Sequence, residues 1–406
     1  MLFSLPIWLL RLVFLLSQHW PWLARRINAE IIDASARAGR RRPHPWSTVH
    51  PYISWTSLTD QTWSARHLPA APLKNLPPPE KVSEFFQAAD SGQTYCKKST
   101  LLFPAFAQYL TDGFIRTVMP NESAGESPNL RRKNTSNHQI DLCPLYGRNQ
   151  EQTRALRLLS QEPGRKGRLK SQIYNGEEYA PFLFDSEGRE KTEFEKLDRI
   201  LGLDQVATIE QKKTLFAFGG DRVNSAPQVA MINTLLLREH NRISGEIERA
   251  HPDWDDERNA LIAIFIKIVV EDYINHIAPT PFSIKTDLSV AWTAPWNKPN
   301  WITVEFSLLY RWHSLIPASI MWNKKVYPVE STFFNRSTLG GRIGAGVHRH
   351  ERAEGNPARR AQYRAGIAEL RRSRFASVSY LRGRYLSQVL RIYGPQRAQG
   401  FRGFLH

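Results

Sequence analysis

The 406-residue sequence contains only two cysteines, Cys96 and Cys143. A disulfide framework needs several cysteines, and neither of these two lies in a spacing that is typical of metal ligands. The sequence therefore excludes a disulfide-stapled scaffold and a cysteine-based metal site. We interpret both residues as inert thiols.

The sequence also lacks an apolar run long enough for an ordinary membrane-spanning helix. Residues 2–16 are apolar apart from Arg11, and Trp20 and Trp22 follow, whereas a spanning helix needs roughly 20 apolar residues. A charge inside the run and arginines after it also depart from a secretory signal. The pattern favours a helix that lies in one membrane leaflet, with an uncleaved signal anchor as the alternative. We therefore expect a peripheral, monotopic membrane protein, preferably on the cytoplasmic side.

Positive charge is concentrated in the last segment of the chain. Residues 336–406 contain 15 arginines and three glutamates but no lysine or aspartate, so they carry +12 of the net charge of +17. The rest of the chain is close to neutral, and no nucleic-acid partner is expected for it. We interpret the segment either as a disordered basic tail or as a frame-shifted or truncated reading of the gene.

Three zones follow from the distribution of apolar residues, prolines and charge. Residues 1–80 are predicted to form the membrane-surface segment and a proline-rich arm laid over the core. Residues 81–335 carry the strong helical patterns and are predicted to form the catalytic domain, which would be incomplete. Residues 336–406 are the arginine-rich tail.

Three helical patterns define residues 81–335. Residues 228–250 show apolar side chains at helical spacing. Residues 257–277 are apolar on most faces until Lys267 and hence predicted to be buried, and residues 303–315 form a third pattern before Pro317. Few segments alternate as a strand would. The sequence therefore predicts an all-α fold.

Tyr310 and His313 lie three residues apart in the third pattern, and such positions share one face of a helix. An imidazole placed in this way can bind an iron axially while the phenol lies beside the same porphyrin. Taken alone, the pair is more often a packed core pair.

Polar residues in two other places can serve the same chemistry. Gln108 and Asp112 are four residues apart on a predicted helix, where an amide and a carboxylate can position a peroxide and move its proton; solvated surface residues are the alternative. Arg222 follows a glycine turn that suits a fixed guanidinium group. Arg238, Glu239 and Arg242 can pair on the next helix, and His240 among them is interpreted as structural.

Together these residues resemble the animal-type haem peroxidase superfamily, and within it the branch of prostaglandin H synthases and fatty-acid dioxygenases. The resemblance covers roughly residues 50–335. It rests on a highly specific run and on a second run that is typical of the branch, namely Leu237-Arg238-Glu239-His240-Asn241-Arg242 and Glu305-Phe306 leading into Tyr310-Arg311-Trp312-His313.

The resemblance implies a role for each candidate. His313 is expected to be the proximal ligand of the haem iron, and Tyr310 the tyrosine that, as a radical, abstracts hydrogen from the substrate. Gln108 corresponds to the distal glutamine and Arg222 to the distal arginine of the peroxidase branch. Asp112 takes the place of the distal histidine. Because the unperturbed pKa of a carboxyl group is about 4, we expect Asp112 to be a poorer base at neutral pH than imidazole.

The resemblance also implies cofactors and partners. Ser225 stands where some members have a glutamate esterified to haem, so non-covalent haem b is expected. Gly113 replaces a calcium-ligating aspartate, so no calcium is expected. The expected partners are a fatty acid, peroxide, O2 and the membrane surface. Arg37 is a candidate for binding the substrate carboxylate, or it joins a head-group cluster with Arg40, Arg41 and Arg42.

Two functions of different classes remain. The first is a haem-dependent peroxidase and dioxygenase that oxygenates unsaturated fatty acids through a tyrosyl radical. The second is an inactive haem-peroxidase-like protein with a basic tail that binds nucleic acid or anionic lipid. The substituted distal histidine favours the second function, and Tyr310 and His313 favour the first.

Overall fold

A computed structural model of the chain divides it into two units, Met1–Gly346 and Val347–His406. The second unit lies wholly outside the residues that the structure describes, so the predictions for residues 336–406 stay predictions, as do the boundaries at 80 and 335. The described residues are 6–17, 19–39, 62–65, 76–85, 96, 99–118, 120, 122–127, 130, 132–136, 138–203, 208–252, 258–277, 284–287, 294, 301–322 and 325–332.

Helices predominate in the described residues, as predicted. In chain order they are α1 (Ile7–Ser17), α2 (Pro21–Gly39), α3 (Pro79–Glu84), α4 (Leu102–Asp112), α5 (Cys143–Tyr146), α6 (Gln150–Leu156), α7 (Ile209–Lys212), α8 (Pro227–Ala250), α9 (Arg258–Ile268), a π-helical segment (Val269–Ile274), α10 (Asn275–Ile277) and α11 (Val304–Leu309). Short 3-10 turns occur at Glu122–Ala124, Thr192–Phe194, His313–Leu315 and Val329–Thr332.

Two antiparallel hairpins interrupt the helical fold, so a strictly all-α prediction is incomplete. β1 (Gln172–Tyr174) pairs with β2 (Glu177–Tyr179), and β3 (Ser319–Trp322) pairs with β4 (Lys325–Pro328). Asn175 and Gly176 turn the first hairpin with φ angles of 51° and 79°. An Asn-Gly pair accepts positive φ at low cost and is a strong hairpin signal.

Helix α8 is the central element and confirms the pattern over residues 228–250. Pro227 occupies the first turn, where its missing N–H leaves no hydrogen bond unmade. One face buries Val229, Leu237 and Ile247 in the main hydrophobic core. Because α8 packs against both α4 and α9, it fixes the position of the helix that carries Gln108 and Asp112.

The helical pattern is confirmed over residues 258–277, and its predicted burial is confirmed in part. Leu261, Phe265 and Tyr273 belong to the buried core, whereas Ile266 and Ile274 are exposed. The buried residues recur every four positions, which is the spacing of one helix face. Other apolar side chains of α9 are partly buried against the same core, so more than one face of the helix meets neighbouring elements.

The N-terminal helices α1 and α2 pack against each other through a small cluster that contains Ile27 and Ile31. Several large apolar side chains on α1 and around the turn that follows it are exposed, including Trp8, Leu15 and Trp22. No helix within the described ranges is long and apolar enough to cross a bilayer. Arg37 lies in the last turn of α2, but its side chain, like all of residues 40–42, is outside the described part.

Candidate functional site

Helix α4 carries Gln108 and Asp112 into the protein on one face, as predicted. Asp112 is the last residue of the helix and is only 7% exposed. The side chain of Gln108 is hydrogen-bonded to the carboxyl group of Asp112. The Oδ2 atom of Asp112 is buried and has no hydrogen-bond partner among the described residues. Since buried carboxyl oxygens are normally satisfied, this oxygen is available to a ligand.

The turn before Arg222 approaches helix α5 closely enough to require glycine. A Cβ atom on Gly219 would lie 2.1 Å from the backbone nitrogen of Gly147, a distance that no side chain tolerates. The Gly220 N–H donates to the carbonyl of Pro144 at 3.1 Å. Two residues later, Arg222 is the nearby positive charge with the largest influence on Asp112.

Ser225 connects the two segments. Its hydroxyl donates to the backbone carbonyl of Arg222 at 2.7 Å, and the Gln108 amide donates to the same hydroxyl at 3.3 Å. The structure therefore brings together three of the predicted site residues, Gln108, Asp112 and Arg222. The sequence-based alternative for Gln108 and Asp112, two solvated surface residues, is wrong because Asp112 is buried.

The buried position of Asp112 changes its chemistry. Burial raises the pKa of the carboxyl group from 3.8 to about 7; the positive charge of Arg222 lowers this pKa and the negative charge of Asp221 raises it. The expectation that Asp112 is a poorer base than imidazole at neutral pH is therefore wrong. A carboxyl group with this pKa exchanges a proton in the range where histidine normally does.

The same pKa makes folding stability depend on pH at this residue. The unfolded carboxyl group ionises near 3.8 and the folded one near 7, so the stabilisation present below about pH 4 is lost as pH rises through 7. The amide of an Asp112→Asn variant cannot ionise and escapes this loss. We expect its free energy of unfolding, relative to the unmodified chain, to rise by up to about 4 kcal/mol between pH 4 and pH 8.

Denaturant unfolding of the haem-free chain at a series of pH values measures this difference. Asp185→Asn is a matched control, because the pKa of Asp185 is lowered by hydrogen bonds from Arg189 in an exposed turn. Its pH dependence should have the opposite sign. A flat difference for Asp112→Asn would mean that Asp112 is already ionised in the folded protein at pH 5.

Tyr310 ends helix α11 and is not inside a longer helix. The helix stops at Leu309, and Tyr310 has φ −79° and ψ 83°. The prediction of one helix over 303–315 is therefore wrong, and the argument that Tyr310 and His313 share a helical face does not apply. Tyr310 packs in a stacked geometry on Phe306, with ring centroids 4.8 Å apart.

The hydroxyl group of Tyr310 meets that of Tyr273, which the π-helical segment supplies. Burial raises the pKa of Tyr273, and the hydrogen bond with Tyr310 raises it further. Phe106 of α4 packs on Tyr273 with ring centroids 5.2 Å apart. This aromatic contact joins Tyr310 to the helix that carries Gln108 and Asp112.

His313 begins a separate 3-10 turn and is exposed. No contact within the described residues joins its imidazole to Gln108, Asp112 or Arg222. The role of His313 as an iron ligand thus stays a prediction. The neighbouring Trp312 packs edge-on against Tyr310, with ring centroids 5.6 Å apart, which fixes the chain just before His313.

The buried histidine of α8 is structural, as interpreted. The hydroxyl group of Tyr146 and the carbonyl of Gly167 each lie 2.9 Å from a ring nitrogen of His240. The expected ion pairs on α8 form in part. Arg242 pairs with Glu239 at 2.6 Å on the same helix, whereas Arg238 pairs with Glu177 of β2 at 3.0 Å and so ties the hairpin to α8.

Sequence reasoning missed two residues that contact the predicted ones. Tyr273 meets Tyr310, and Asp221 forms ion pairs with Arg222 and with the buried Arg116. Asp221 precedes Arg222 directly, so a charged neighbour was a usable signal. The contact of Tyr273 spans 37 positions of the chain, and local spacing gives no sign of it.

Comparison with known proteins identifies relatives of this chain. The chain is 29% identical to mouse prostaglandin G/H synthase 1, covering 80% of this chain and 54% of that protein, and 28% identical to the horse prostaglandin G/H synthase 2, covering 73% and 48%. It spans about half the length of the curated relatives it matches. Peroxidase A from Dictyostelium discoideum shares the fold, with a TM-score of 0.50 at 18% identity over 74% of this chain and 62% of that chain.

The family model matches a segment of the chain that begins directly after Asp112. The animal haem peroxidase domain matches residues 113–347, which is more than half of the chain. The matched residues include Arg222, Tyr310 and His313, and Gln108 and Asp112 directly precede them. The protein therefore belongs to the animal haem peroxidase family.

Proposed function

We propose that the chain is a haem-dependent peroxidase and dioxygenase that oxygenates unsaturated fatty acids through a radical on Tyr310. The observation that carries the proposal is the meeting of Gln108, Asp112 and Arg222 in one buried site, where Asp112 Oδ2 has no described partner. Family membership supports a peroxidase or oxygenase activity. The similarity to prostaglandin G/H synthases supports a fatty-acid substrate.

The residues present fit a non-covalent haem. The exposed imidazole of His313 would hold the iron, and the buried Oδ2 of Asp112, which has no described partner, would be available to the peroxide that reacts there. The hydroxyl group of Ser225 donates to the carbonyl of Arg222, and we propose that haem binds at this position without an ester link. When bound, haem supplies the capacity to be oxidised by peroxide.

Asp112 is proposed to move the proton of hydrogen peroxide. As a carboxylate it accepts the proton from one peroxide oxygen, and as a carboxylic acid it returns the proton to the other oxygen when the O–O bond breaks. A pKa of about 7 lets it do both near neutral pH. Arg222 stabilises the negative charge that develops on the peroxide, and Gln108 orients the carboxyl group through its hydrogen bond.

Tyr310 is proposed to carry the substrate step. A Tyr310 phenoxyl radical takes an allylic hydrogen atom, so a C–H bond of the fatty acid breaks and the tyrosine O–H bond forms again. The carbon radical that remains combines with O2, and the Tyr310 O–H then gives its hydrogen atom to the peroxyl group, which yields a hydroperoxide and restores the Tyr310 radical. The Tyr273 hydroxyl holds the phenol oxygen in a fixed direction, which lowers the entropic cost of the transfer.

The haem-loaded full chain tests the proposal directly. With peroxide, O2 and a polyunsaturated fatty acid, we expect oxygen uptake and a fatty-acid hydroperoxide. Because the base form of Asp112 is the carboxylate, the rate of reaction with peroxide should rise with pH through about 7. Asp112→Asn should lower that rate about 10²–10⁴-fold.

Asp185→Asn serves here as the control and should leave the peroxide reaction unchanged, since Asp185 lies in an exposed turn. Haem binding without either reaction would support the inactive alternative with a basic tail. A normal peroxide rate in Asp112→Asn would remove Asp112 from the mechanism and leave Arg222 to act alone.

The N-terminal helices are proposed to lie on a membrane surface, cytoplasmic side preferred. The support is the exposed set of large apolar side chains on α1 and around the turn that follows it, which includes Trp8, Leu15 and Trp22. A lipid substrate could then enter from the bilayer. Arg37 lies in the last turn of α2, and the resemblance implies that it lies near the mouth of the substrate channel.

Arg37→Gln distinguishes two roles for this arginine. If Arg37 binds the substrate carboxylate, the Michaelis constant should rise for the free fatty acid and not for its methyl ester. If it contacts lipid head groups, binding to anionic vesicles should weaken by about 1 kcal/mol, or roughly fivefold. Because three arginines follow closely, we expect the second result, and an equal loss in Arg40→Gln.

A further inference from the structure

The carboxylate of Asp221 is shared between two guanidinium groups. Its Oδ1 lies 3.3 Å from Nη1 of Arg222, and its Oδ2 lies 3.0 Å from Nη2 of Arg116. Asp221 itself is 16% exposed and Arg116 only 4%. A charged group so far from water needs an opposite charge close to it, and Asp221 provides one for both arginines.

Arg116 is held on its other side as well. Its Nη1 lies 2.8 Å from Asp198 Oδ2, and Asp198 also accepts hydrogen bonds from Arg148 and Gln152. Although burial raises the pKa of Asp198, the hydrogen bonds and charges of Arg148 and Arg116 hold it below its ordinary value. Asp198 therefore stays ionised, and Arg116 cannot move toward Asp112 without losing a buried ion pair.

The backbone of Asp221 is fixed independently of these ion pairs. Its carbonyl accepts from the N–H of Leu201 at 3.0 Å, and the preceding Gly220 is tied to Pro144. The only way for Arg222 to change position is therefore to swing its side chain. The ion pair with Asp221 is the one described contact that opposes such a swing.

We propose that Asp221 is a positioning residue that holds Arg222 beside Asp112 and offsets the positive charge that Arg222 and Arg116 together place there. This inference rests on the proposed function, because the distal roles of Arg222 and Asp112 belong to that proposal. It adds a residue that neither touches the reacting atoms nor belongs to the distal set itself.

The charged groups around Asp112 determine the direction in which its pKa should change when Asp221 is replaced. Arg222 and Arg116 favour the carboxylate form and Asp221 opposes them. Tyr109 of α4 is also close, but burial raises its pKa well above the ordinary value, so it stays uncharged. Asp221→Asn removes the negative charge and leaves both arginines unopposed. Asp112 should then ionise at a lower pH.

An infrared titration of the haem-free full chain measures this directly. The stretching band of a protonated carboxyl group reports Asp112, and its loss in Asp112→Asn assigns it. We expect Asp221→Asn to lower the midpoint of that band by on the order of one pH unit, a tenfold change in proton affinity. Asp185→Asn removes a charge from an exposed turn, and Asp185 is not among the groups that influence Asp112, so the midpoint should stay unchanged.

Asp221→Glu separates charge from position. The variant keeps the negative charge on a longer side chain, so the midpoint should stay within a few tenths of a pH unit of the original. The carboxylate is displaced, however, so the haem-loaded variant should react with peroxide more slowly at every pH. This variant also carries the test if Asp221→Asn does not fold.

The outcomes separate this inference from the function on which it rests. An unchanged midpoint in Asp221→Asn, or an unchanged peroxide rate in Asp221→Glu, overturns the role of Asp221 and leaves the proposed activity standing. A shifted midpoint in a chain that oxygenates no fatty acid supports the positioning role and overturns only the proposed activity.

Discussion

The variant His313→Ala should lose haem binding, or bind haem with a strongly altered Soret band. Among the candidates, His313 alone combines the branch motif with an exposed imidazole for which no hydrogen-bond partner is described. A neutral imidazole is a common iron ligand, and alanine offers no replacement. Haem titration of the full chain, followed by absorption spectroscopy, measures the stoichiometry and the band position.

The exposed His19, in the turn between α1 and α2, provides the control. His19→Ala should bind one haem per chain with the original spectrum. If His313→Ala keeps both the stoichiometry and the spectrum, another residue holds the iron. In that case His313 has no assigned function.

The variant Tyr310→Phe should bind haem normally and lose fatty-acid oxygenation entirely. Phenylalanine keeps the stacking on Phe306 and the edge-on contact with Trp312, so the packing survives. Only the hydroxyl group disappears, and with it the O–H bond that forms when hydrogen leaves the substrate. Oxygen uptake with a fatty acid, measured beside peroxidase activity with an ordinary reducing substrate, separates the two reactions.

Tyr174→Phe, on the partly exposed strand β1, is the matched control and should leave both reactions intact. Tyr273→Phe removes only the partner of the Tyr310 hydroxyl, so we expect slower oxygenation with the activity retained. Equal oxygenation by Tyr310→Phe and the unmodified chain would exclude a radical role for Tyr310 and leave peroxidase activity alone.

The spacing of residues along the chain predicted those helices whose positions depend on nearby residues. Helix α8 formed where apolar residues recur at helical spacing, and Gln108 and Asp112, four residues apart, share a face of α4 as predicted. The end of α11 was not predictable in this way. Tyr310 leaves the helix where its side chain packs with Tyr273, 37 positions earlier in the chain, and such a tertiary contact overrides helix propensity.

The proton affinity of Asp112 could not be predicted from residue type. A carboxyl group at a helix end is ordinarily ionised at neutral pH, whereas burial, with a smaller contribution from the charge of Asp221, raises the pKa of Asp112 to about 7. The ion pairs of Asp221 with Arg116 likewise join residues more than a hundred positions apart. The Asn175-Gly176 hairpin, in contrast, had a clear local signal that the all-α interpretation passed over.

The π-helical segment Val269–Ile274 has a consequence for what this chain can gain by mutation. Such a segment holds one residue more than a regular helix would, and its wider hydrogen bonding is less favourable. Deleting one residue would restore regular hydrogen bonds and turn everything after the deletion by about 100°. Tyr273 would then face away from Tyr310. A regular helix would therefore be more stable here, but it would lose the contact between the Tyr273 and Tyr310 hydroxyl groups.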